Sequence, residues 1–263
     1  MVSLRTTSWN IDHVQAVLFD KDGTLMDSHL YWGRIIARRS VAIIEHYGLH
    51  RGMFADLCRT MGYDTGSRRL VPEGPIALVS REEVIGNVER FLWGRGIAVG
   101  RKEVASIFVL EHKMFLSELF EYTRILPGVR SLLDQLKKHA VMTAVVTTDA
   151  IQNTKEILCC LELASLFDLV IGKESTAEPK ITGAPALKAL QQLGISADRA
   201  ICVGDAPMDL IMARNSGLKA GVGVTTGQLP ASFLMKHSPY LVASLVEITV
   251  LPEQGDGYET QNS

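Results

Sequence analysis

Short apolar runs alternate with helical patterns over the second half of the chain. The apolar runs read as buried strands, and they lie at 141–146, 168–171, 200–203 and 220–224. Each follows a stretch with helical spacing, at 129–138, 150–162, 184–193 and 208–216. This alternation is typical of a parallel α/β sheet with right-handed crossovers. An earlier apolar run at 14–19 stops at Asp20 and belongs with the same sheet.

The stretch 28–124 has helical patterns and no convincing strand, and it separates the first strand from the others. Helices are predicted at 30–47, 51–61, 80–93 and 102–122, with a long loop at 62–79. We therefore predict a Rossmann-like three-layer parallel sheet core with an inserted all-helical cap. The core is expected to comprise 1–27 and 126–263, and the cap 28–125. The polar tail from Pro252 to Ser263 is expected to fray.

Composition excludes several classes of protein. The 263 residues are 47% hydrophobic and 21% charged, so a disordered chain is excluded. Lys plus Arg is 27 and Asp plus Glu is 29, a net charge of −2, so no basic excess indicates nucleic acid or a membrane surface as partner. No signal-peptide core or membrane-spanning run is visible, and we expect a cytoplasmic protein. Without a CxxC pair, four cysteines are expected to be buried thiols in a reducing compartment: Cys58, Cys159, Cys160 and Cys202.

Acidic and hydroxyl side chains follow several of the predicted strands. In open parallel sheets the ligand lies at the carboxyl ends of the strands, so these side chains are expected to converge. They are Asp20, Asp22 and Thr24 after the first strand, Thr147, Thr148 and Asp149 after the second, Lys180 after the third, and Asp205 and Asp209 after the fourth. Alone, each has an ordinary structural explanation, such as a turn, a helix N-cap or a solvated lysine. Together they indicate a site.

Four segments resemble the motifs of the haloacid dehalogenase-like hydrolase superfamily. The run Val17–Leu25 (VLFDKDGTL) resembles its first motif, and Val145–Thr148 (VVTT) resembles its second. Lys180 stands where the third-motif lysine belongs, and Val203–Asp209 (VGDAPMD) resembles the fourth motif, GDxxxD. The likeness covers roughly residues 14–250 and is closest to the phosphoglycolate phosphatase-like branch, which carries a helical cap after the first motif.

The resemblance implies a phosphatase that acts through an aspartyl phosphate. It implies that Asp20 is the nucleophile, that Asp22 is the general acid and base, and that Thr147 and Lys180 hold the phosphoryl group. Mg²⁺ is the implied cofactor, with its ligands at Asp20, Asp22, Asp205 and Asp209. Thr148 and Gly23 are expected to contact the substrate, a small phosphomonoester, and the protein is expected to be a monomer or a homodimer.

The charges of this residue set require a cation. Three carboxylates and a phosphate dianion carry five negative charges, against which Lys180 and one Mg²⁺ supply three positive ones. The ligands are all oxygen, which favours Mg²⁺ over zinc. Two positions depart from the common family pattern. Lys180 is followed by Ile181-Thr182-Gly183 and not by proline, and Ala206 replaces the usual hydroxyl residue.

The cap is expected to select the substrate and to exclude water. Its hinges are predicted near Asp27-Ser28 and at 125–127. Arg68 and Arg69, in the long loop, are either solvated or read an anionic group of the substrate, and His29, Tyr31 and Trp32 either line the pocket or pack in the core. Two alternatives to a phosphatase stay open: a sugar phosphomutase, which would retain the phosphoryl group, and a non-catalytic binding or regulatory protein on the same fold.

Overall fold

The computed structural model describes residues 1–76 and 78–253. In chain order, the strands of this part are β1 (Val2–Arg5), β2 (Asn10–Val14), β3 (Ala16–Phe19), β4 (Tyr63–Asp64), β5 (Arg69–Leu70), β6 (Met142–Val146), β7 (Leu169–Ile171), β8 (Ala200–Gly204), β9 (Ala220–Val224), β10 (Leu241–Val242) and β11 (Thr249–Pro252). The α-helices are α1 (Ser28–His46), α2 (Phe54–Thr60), α3 (Arg81–Trp93), α4 (Arg101–Leu116), α5 (Leu119–Tyr122), α6 (Val129–Lys138), α7 (Ile151–Cys160), α8 (Ala184–Leu193), α9 (Pro207–Asn215) and α10 (Ala231–Leu234).

A six-stranded parallel sheet forms the centre of the molecule, in the order β10-β9-β8-β3-β6-β7. Strand β3 lies between β8 and β6 and is buried on both faces, which explains why its sequence is a continuous apolar run and not an alternation. Val17 and Phe19 pack into one hydrophobic cluster, and Ala16 and Leu18 pack into another on the opposite face. The predicted α/β fold with a parallel sheet is confirmed.

The inserted region carries its own hydrophobic core. Apolar side chains of α1, α2, α3 and α4 meet there, among them Ile36, Leu57, Val88 and Phe108. This confirms a helical cap. The prediction that the cap has no strand was wrong, because β4 and β5 pair as a short antiparallel hairpin within the predicted loop. Each strand has two residues, too few for an alternation to be recognised in the sequence.

The two chain segments that join the cap to the sheet pair with each other. The amide of Asp27 donates to the carbonyl of Arg124 (2.9 Å), and the amide of Leu126 donates to the carbonyl of Leu25 (3.1 Å). Met26 and Ile125 form an isolated bridge between these hydrogen bonds. The segments lie at the positions where the hinges were predicted, and their pairing holds the entry and exit of the cap together.

A second sheet, antiparallel and three-stranded, was not predicted. Its order is β11-β1-β2, so the beginning of the chain pairs with residues near position 250. Its strands have four or five residues and no clear alternation, which is why the sequence pattern did not reveal them. Pro252, predicted to begin the polar tail, ends β11, and the tail from 254 onward lies outside the described residues.

The structure also bears on the predictions about membrane-spanning segments and cysteines. Among the described residues, no helix has the length and apolar character needed to cross a membrane. The thiols are all free, but they are not all buried as predicted: Cys58 and Cys202 are buried, Cys160 is half-buried and Cys159 is exposed. Cys159 and Cys160 are consecutive near the end of α7, so the helix turns the two side chains in different directions.

Candidate active site

The ammonium group of Lys180 lies between two carboxylates. Its Nζ is 2.5 Å from Asp20 Oδ1 and 2.6 Å from Asp209 Oδ1, and its side chain is only 3% exposed. Asp20 follows β3, where its amide donates to the carbonyl of Val203 on the neighbouring strand. Lys180 begins a single 3-10 turn that ends at Gly183, whose φ of 92° lies in the left-handed region. The lysine therefore reaches Asp20 although Ile181, and not a proline, follows it.

Asp205 and Asp209 complete an acidic cluster with Asp20. One carboxylate oxygen from each of the three residues lies within 4.8 Å of the others. Asp209 is in the first turn of α9, where its Oδ2 accepts the amide of Ala206 (3.0 Å) and so fixes the side chain. A Cβ at Gly204 would lie 2.3 Å from the Asp209 carboxylate, which explains why glycine ends β8. The fourth motif thus shapes the site through its glycine as well as its acids.

Burial and mutual repulsion alter the ionisation of this cluster. Burial, with the nearby charges of Asp20, Asp209 and Asp22, raises the pKa of Asp205 well above its ordinary value. Burial also raises the pKa of Asp209 to about 6, against the opposing effect of Lys180. For Lys180, burial lowers the pKa, but the charges of Asp20 and Asp209 outweigh it and the net shift is upward. Lys180 is therefore charged, but its single positive charge does not compensate three ionised carboxylates, and the pKa values of Asp205 and Asp209 stay raised.

A second buried lysine stands next to the site. The Lys21 side chain is fully buried, and its Nζ lies 2.8 Å from Asp22 Oδ1 and 3.6 Å from Asp149 Oδ2. The ring of Tyr31, from the cap helix α1, lies 5.4 Å from the same ammonium group. Neither the burial of Lys21 nor its contact with Asp149 was predicted from the sequence. The sequence shows a lysine between two aspartates in the first motif, but it does not show whether that side chain points into the protein or into solvent.

A loop after β9 closes the site and was also missed. Thr226 Oγ1 donates to the carbonyl of Gly23 (2.5 Å), and a Cβ at Gly227 would lie 1.6 Å from Asp205 Oδ2. Gln228 crosses to the cap, where its amide nitrogen donates to the carbonyls of Val71 (2.7 Å) and Gly74 (2.9 Å). The only signal in the sequence was the position of this loop, after a fifth parallel strand.

The acidic cluster faces a cavity of about 80 Å³ beneath the cap. The polar part of its lining consists mainly of predicted residues: Asp20, Asp22, Thr147, Thr148, Lys180, Asp205 and Asp209. Trp32, Leu70 and Leu78 add apolar cover from the cap side. The cavity has room for a phosphoryl group and a few waters but not for a bulky organic group. A larger substrate therefore requires the cap to move.

Three of the predicted substrate contacts are placed elsewhere. The amide of Gly23 donates to the carbonyl of Met26 (2.9 Å), so the turn itself uses the donor that was expected to meet phosphate. Gly23 instead has a φ of 80° and passes close to Asp205, which requires glycine. Arg68 and Arg69 do not line the cavity that holds Asp20; they line grooves beside it. The reason is the hairpin, which turns Leu70 toward the cavity and Arg69 away from it.

Comparison with known proteins agrees with this geometry. A family model described as haloacid dehalogenase-like hydrolase matches residues 14–217. A phosphoglycolate phosphatase from Neisseria meningitidis is 30% identical over 242 residues, which cover 90% of this chain and 93% of that protein. A phosphoglycolate phosphatase from Aquifex aeolicus is 28% identical over 211 residues, which cover 80% and 85%.

Solved structures show the same fold at lower identity. A predicted phosphoglycolate phosphatase from Haemophilus somnus superposes with a TM-score of 0.69 at 20% identity, covering 90% of this chain and 96% of that one. CbbY from Rhodobacter sphaeroides, solved in complex with phosphate, gives a TM-score of 0.59 at 20% identity and covers 89% and 96%. The matched family model spans all four motif segments, and the named relatives cover most of both chains. The chain therefore belongs to the haloacid dehalogenase-like hydrolase family, in its phosphoglycolate phosphatase-like branch, and is a phosphatase.

Proposed function

We propose that the protein is a Mg²⁺-dependent phosphatase that hydrolyses a small phosphorylated metabolite through an aspartyl-phosphate intermediate. The observation that carries this proposal is the contact of Lys180 Nζ with Asp20 Oδ1 at 2.5 Å, inside a cavity lined by three further carboxylates. A buried carboxylate beside a fixed cation is a nucleophile held in place, with positive charge available for the incoming phosphate. The named phosphoglycolate phosphatases support the choice of a small anionic substrate.

The residues present fit a magnesium ion. The donors of the cluster are all carboxylate oxygens, they lie within 4.8 Å of one another, and Lys180 alone does not balance their charge. The side chains of Asp20, Asp205 and Asp209 would hold the ion, together with the backbone carbonyl of Asp22. When bound, Mg²⁺ would supply positive charge that a phosphate dianion needs in order to approach this acidic cavity.

The side chains of the cavity divide the work of phosphoryl transfer. Asp20 attacks phosphorus, and the bond between phosphorus and the ester oxygen breaks as the aspartyl phosphate forms. Asp22 donates a proton to the departing oxygen and then accepts one from the water that hydrolyses the intermediate. Burial raises the pKa of Asp22 against the opposing charge of Lys21, and a raised pKa helps the carboxyl group hold this proton. Thr147 and Lys180 bind the phosphoryl oxygens.

The cap supplies the selectivity in this proposal. The cavity is small, and Trp32 and Leu70 cover it, so bulk water is largely excluded while the cap is closed. We propose two domains with limits near those expected from the sequence, a core of 1–27 plus 126–263 and a cap of 28–125. Opening at the paired hinge segments would admit the substrate, and closing would bring the cap side chains onto its organic part.

The central test replaces the nucleophile. Asp20→Asn is expected to lower the turnover of a chromogenic aryl phosphate by roughly 10³-fold or more, because an amide does not form the intermediate. Asp198→Asn, a matched change at an exposed aspartate of the core, is expected to keep the wild-type rate. Excess chelator should stop the wild-type enzyme. Wild-type turnover by Asp20→Asn would overturn the proposed mechanism.

The two alternatives predict different products. A sugar phosphomutase would convert a hexose 1-phosphate to its 6-phosphate and release little inorganic phosphate, whereas the proposed phosphatase releases phosphate stoichiometrically. A non-catalytic protein would bind phosphorylated compounds without turning any of them over. Measuring phosphate release and hexose phosphates in the same reaction separates these outcomes.

A further inference from the structure

A large basic groove lies outside the catalytic cavity. Its volume is about 720 Å³, nine times that of the cavity that holds Asp20. Four arginines line it, and we call it the arginine groove: Arg34, Arg68, Arg69 and Arg124. His29 and Tyr63 lie among them. The mechanism proposed above makes no use of this groove.

The groove and the catalytic cavity lie on opposite sides of a common wall. On α1, Ser28 and Trp32 line the cavity, whereas His29 and Gly33 line the groove. Each pair is spaced by four residues, so the two pairs mark two faces of the helix. The same division occurs in β5, where Leu70 lines the cavity and the preceding Arg69 lines the groove. A ligand in the groove is thus not in the place of the substrate.

The four arginines of the groove form no ion pair with a carboxylate among the described residues, and Asp64, whose Oδ2 accepts the hydroxyl of the lining residue Ser67, is paired with Arg59. In the part of the chain that the structure describes, the ion pairs of arginine with carboxylate involve other arginines, namely Arg38, Arg59, Arg95, Arg101 and Arg130. Asp27 is the one carboxylate among the described lining residues, and its Oδ1 accepts the amide of Leu30 as the N-cap of α1. The whole chain has a net charge of −2, so this concentration of positive charge is local.

His29 holds Arg69 in the wall of the groove without compensating its charge. The residue is only 7% exposed, its Nδ1 lies 3.0 Å from the amide of Leu70, and its Nε2 lies 2.8 Å from Nη2 of Arg69. Burial and the charge of Arg69 lower the pKa of His29, which favours the neutral ring. A neutral ring supplies no negative charge, so the guanidinium of Arg69 remains available to an anion.

We propose that the arginine groove is a second binding site, for a small phosphate-bearing anion distinct from the substrate. Guanidinium groups bind phosphate oxygens through paired N–H donors, and several arginines converging on one groove favour a ligand with more than one negative charge. The hydroxyl of Tyr63 adds a neutral donor from the same lining. The volume of the groove suits a polyphosphate or a phosphorylated metabolite.

A ligand in the arginine groove would contact both the cap and one of its hinge segments. Arg34 lies on α1, Arg69 lies on the hairpin, and Arg124 lies on the return segment whose carbonyl accepts the amide of Asp27. An anion held by all three would join the cap helix, the cap hairpin and the hinge. Since α1 and β5 also form the wall of the catalytic cavity, the ligand would restrain that wall and the hinge together.

The experiment measures the binding of tripolyphosphate by titration calorimetry in excess chelator. Without a metal ion the catalytic cavity is acidic and repels the probe, so turnover and substrate binding do not enter. We expect the wild-type chain to bind one tripolyphosphate, and Arg34→Ala with Arg124→Ala to weaken binding about ten-fold or more. A double variant with the same charge change on the core surface, Arg5→Ala with Arg214→Ala, should bind as the wild type does.

Several results would overturn the proposal. One is equal affinity for the wild type and the Arg34/Arg124 variant, and another is equal weakening in the Arg5/Arg214 variant, which would show that the probe responds only to overall charge. No binding by the wild type up to about 1 mM probe would exclude a useful site. Binding of a single-stranded oligonucleotide or an acidic peptide in preference to tripolyphosphate would reject the small-anion class. If the double variant unfolds, Arg34→Gln and Arg124→Gln are tested singly, and each is expected to weaken binding.

Discussion

Lys21 Nζ lies 2.8 Å from Asp22 Oδ1, and the lysine side chain that makes this contact is fully buried. The two residues are consecutive, so the contact turns the proposed general acid toward its own neighbour. The second carboxylate near the ammonium group, Asp149 at 3.6 Å, belongs to the loop after β6. Lys21 therefore ties the loops after two adjacent strands together and holds one oxygen of Asp22, so in the proposed mechanism the other oxygen meets the leaving group.

Replacing Lys21 by methionine is expected to affect substrates according to their leaving groups. An alkyl phosphate needs a well-placed proton donor, whereas a nitrophenyl phosphate departs without much help. For Lys21→Met we expect a loss of roughly 10²-fold on an alkyl phosphate and only a few-fold on nitrophenyl phosphate, because general acid catalysis contributes about 10²–10⁴-fold. Steady-state kinetics on both substrates check this, with the exposed Lys155→Met as control. Equal losses on both would mean that Lys21 only supports the fold.

Removing Lys180 is expected to damage both catalysis and the metal-free fold. Lys180→Met leaves Asp20 and Asp209 buried without their shared cation, and breaking a buried ion pair costs about 3–5 kcal/mol. We expect the free energy of unfolding in chelator to fall by an amount of this order, and turnover with Mg²⁺ to fall at least about 10²-fold. Urea denaturation and kinetics measure the two effects. Lys173→Met, at an exposed lysine, should change neither the stability nor the turnover. Loss of turnover in Lys173→Met with normal turnover in Lys180→Met would assign the proposed phosphoryl-binding role to Lys173.

The stabilisation by Mg²⁺ should depend on pH. Asp209 has a pKa of about 6 in the folded chain, above its ordinary 3.8, so in the metal-free protein this group lowers stability as pH rises between these values. Protonated carboxyl groups do not ligate Mg²⁺, so the ion's stabilising effect should be large above about pH 6 and disappear as pH falls through it. At a hundred times its dissociation constant the ion adds about 2.7 kcal/mol. Thermal melts with and without Mg²⁺ at several pH values measure this; an increment independent of pH would contradict the proposed ligands.

Gly227 is expected to be required for the position of Asp205. A Cβ there would lie 1.6 Å from Asp205 Oδ2, so Gly227→Ala must move either the loop or the carboxylate. We expect weaker Mg²⁺ binding, by about ten-fold or more, with a secondary structure close to that of the wild type. Titration of the metal, followed by heat or fluorescence, tests this. Gly66→Ala is the matched control, since its nearest neighbour would be 3.6 Å away; unchanged Mg²⁺ affinity in Gly227→Ala would show that Asp205 is not a ligand.

The sequence alone determined most of the elements of the core. Helices α6 and α8 and strand β9 have the predicted limits, because amphipathic spacing and glycine ends are local properties of the chain. The convergence of Asp20, Thr147, Lys180 and Asp205 also followed from the sequence, since parallel strands place their carboxyl ends at one edge of the sheet.

Only the tertiary structure decided where side chains point and which distant segments meet. The pairing of β1 with β11 joins residues almost a whole chain apart, and neither strand has a pattern of its own strong enough to predict it. Lys21 could have been solvated, but the fold buries it between Asp22 and Asp149. Arg69 could have faced the substrate, but pairing in the hairpin turns Leu70 inward and Arg69 into the groove. The first two outcomes depend on contacts between segments far apart in sequence, and the third depends on strands of two residues, too short to show in the pattern of polar and apolar residues.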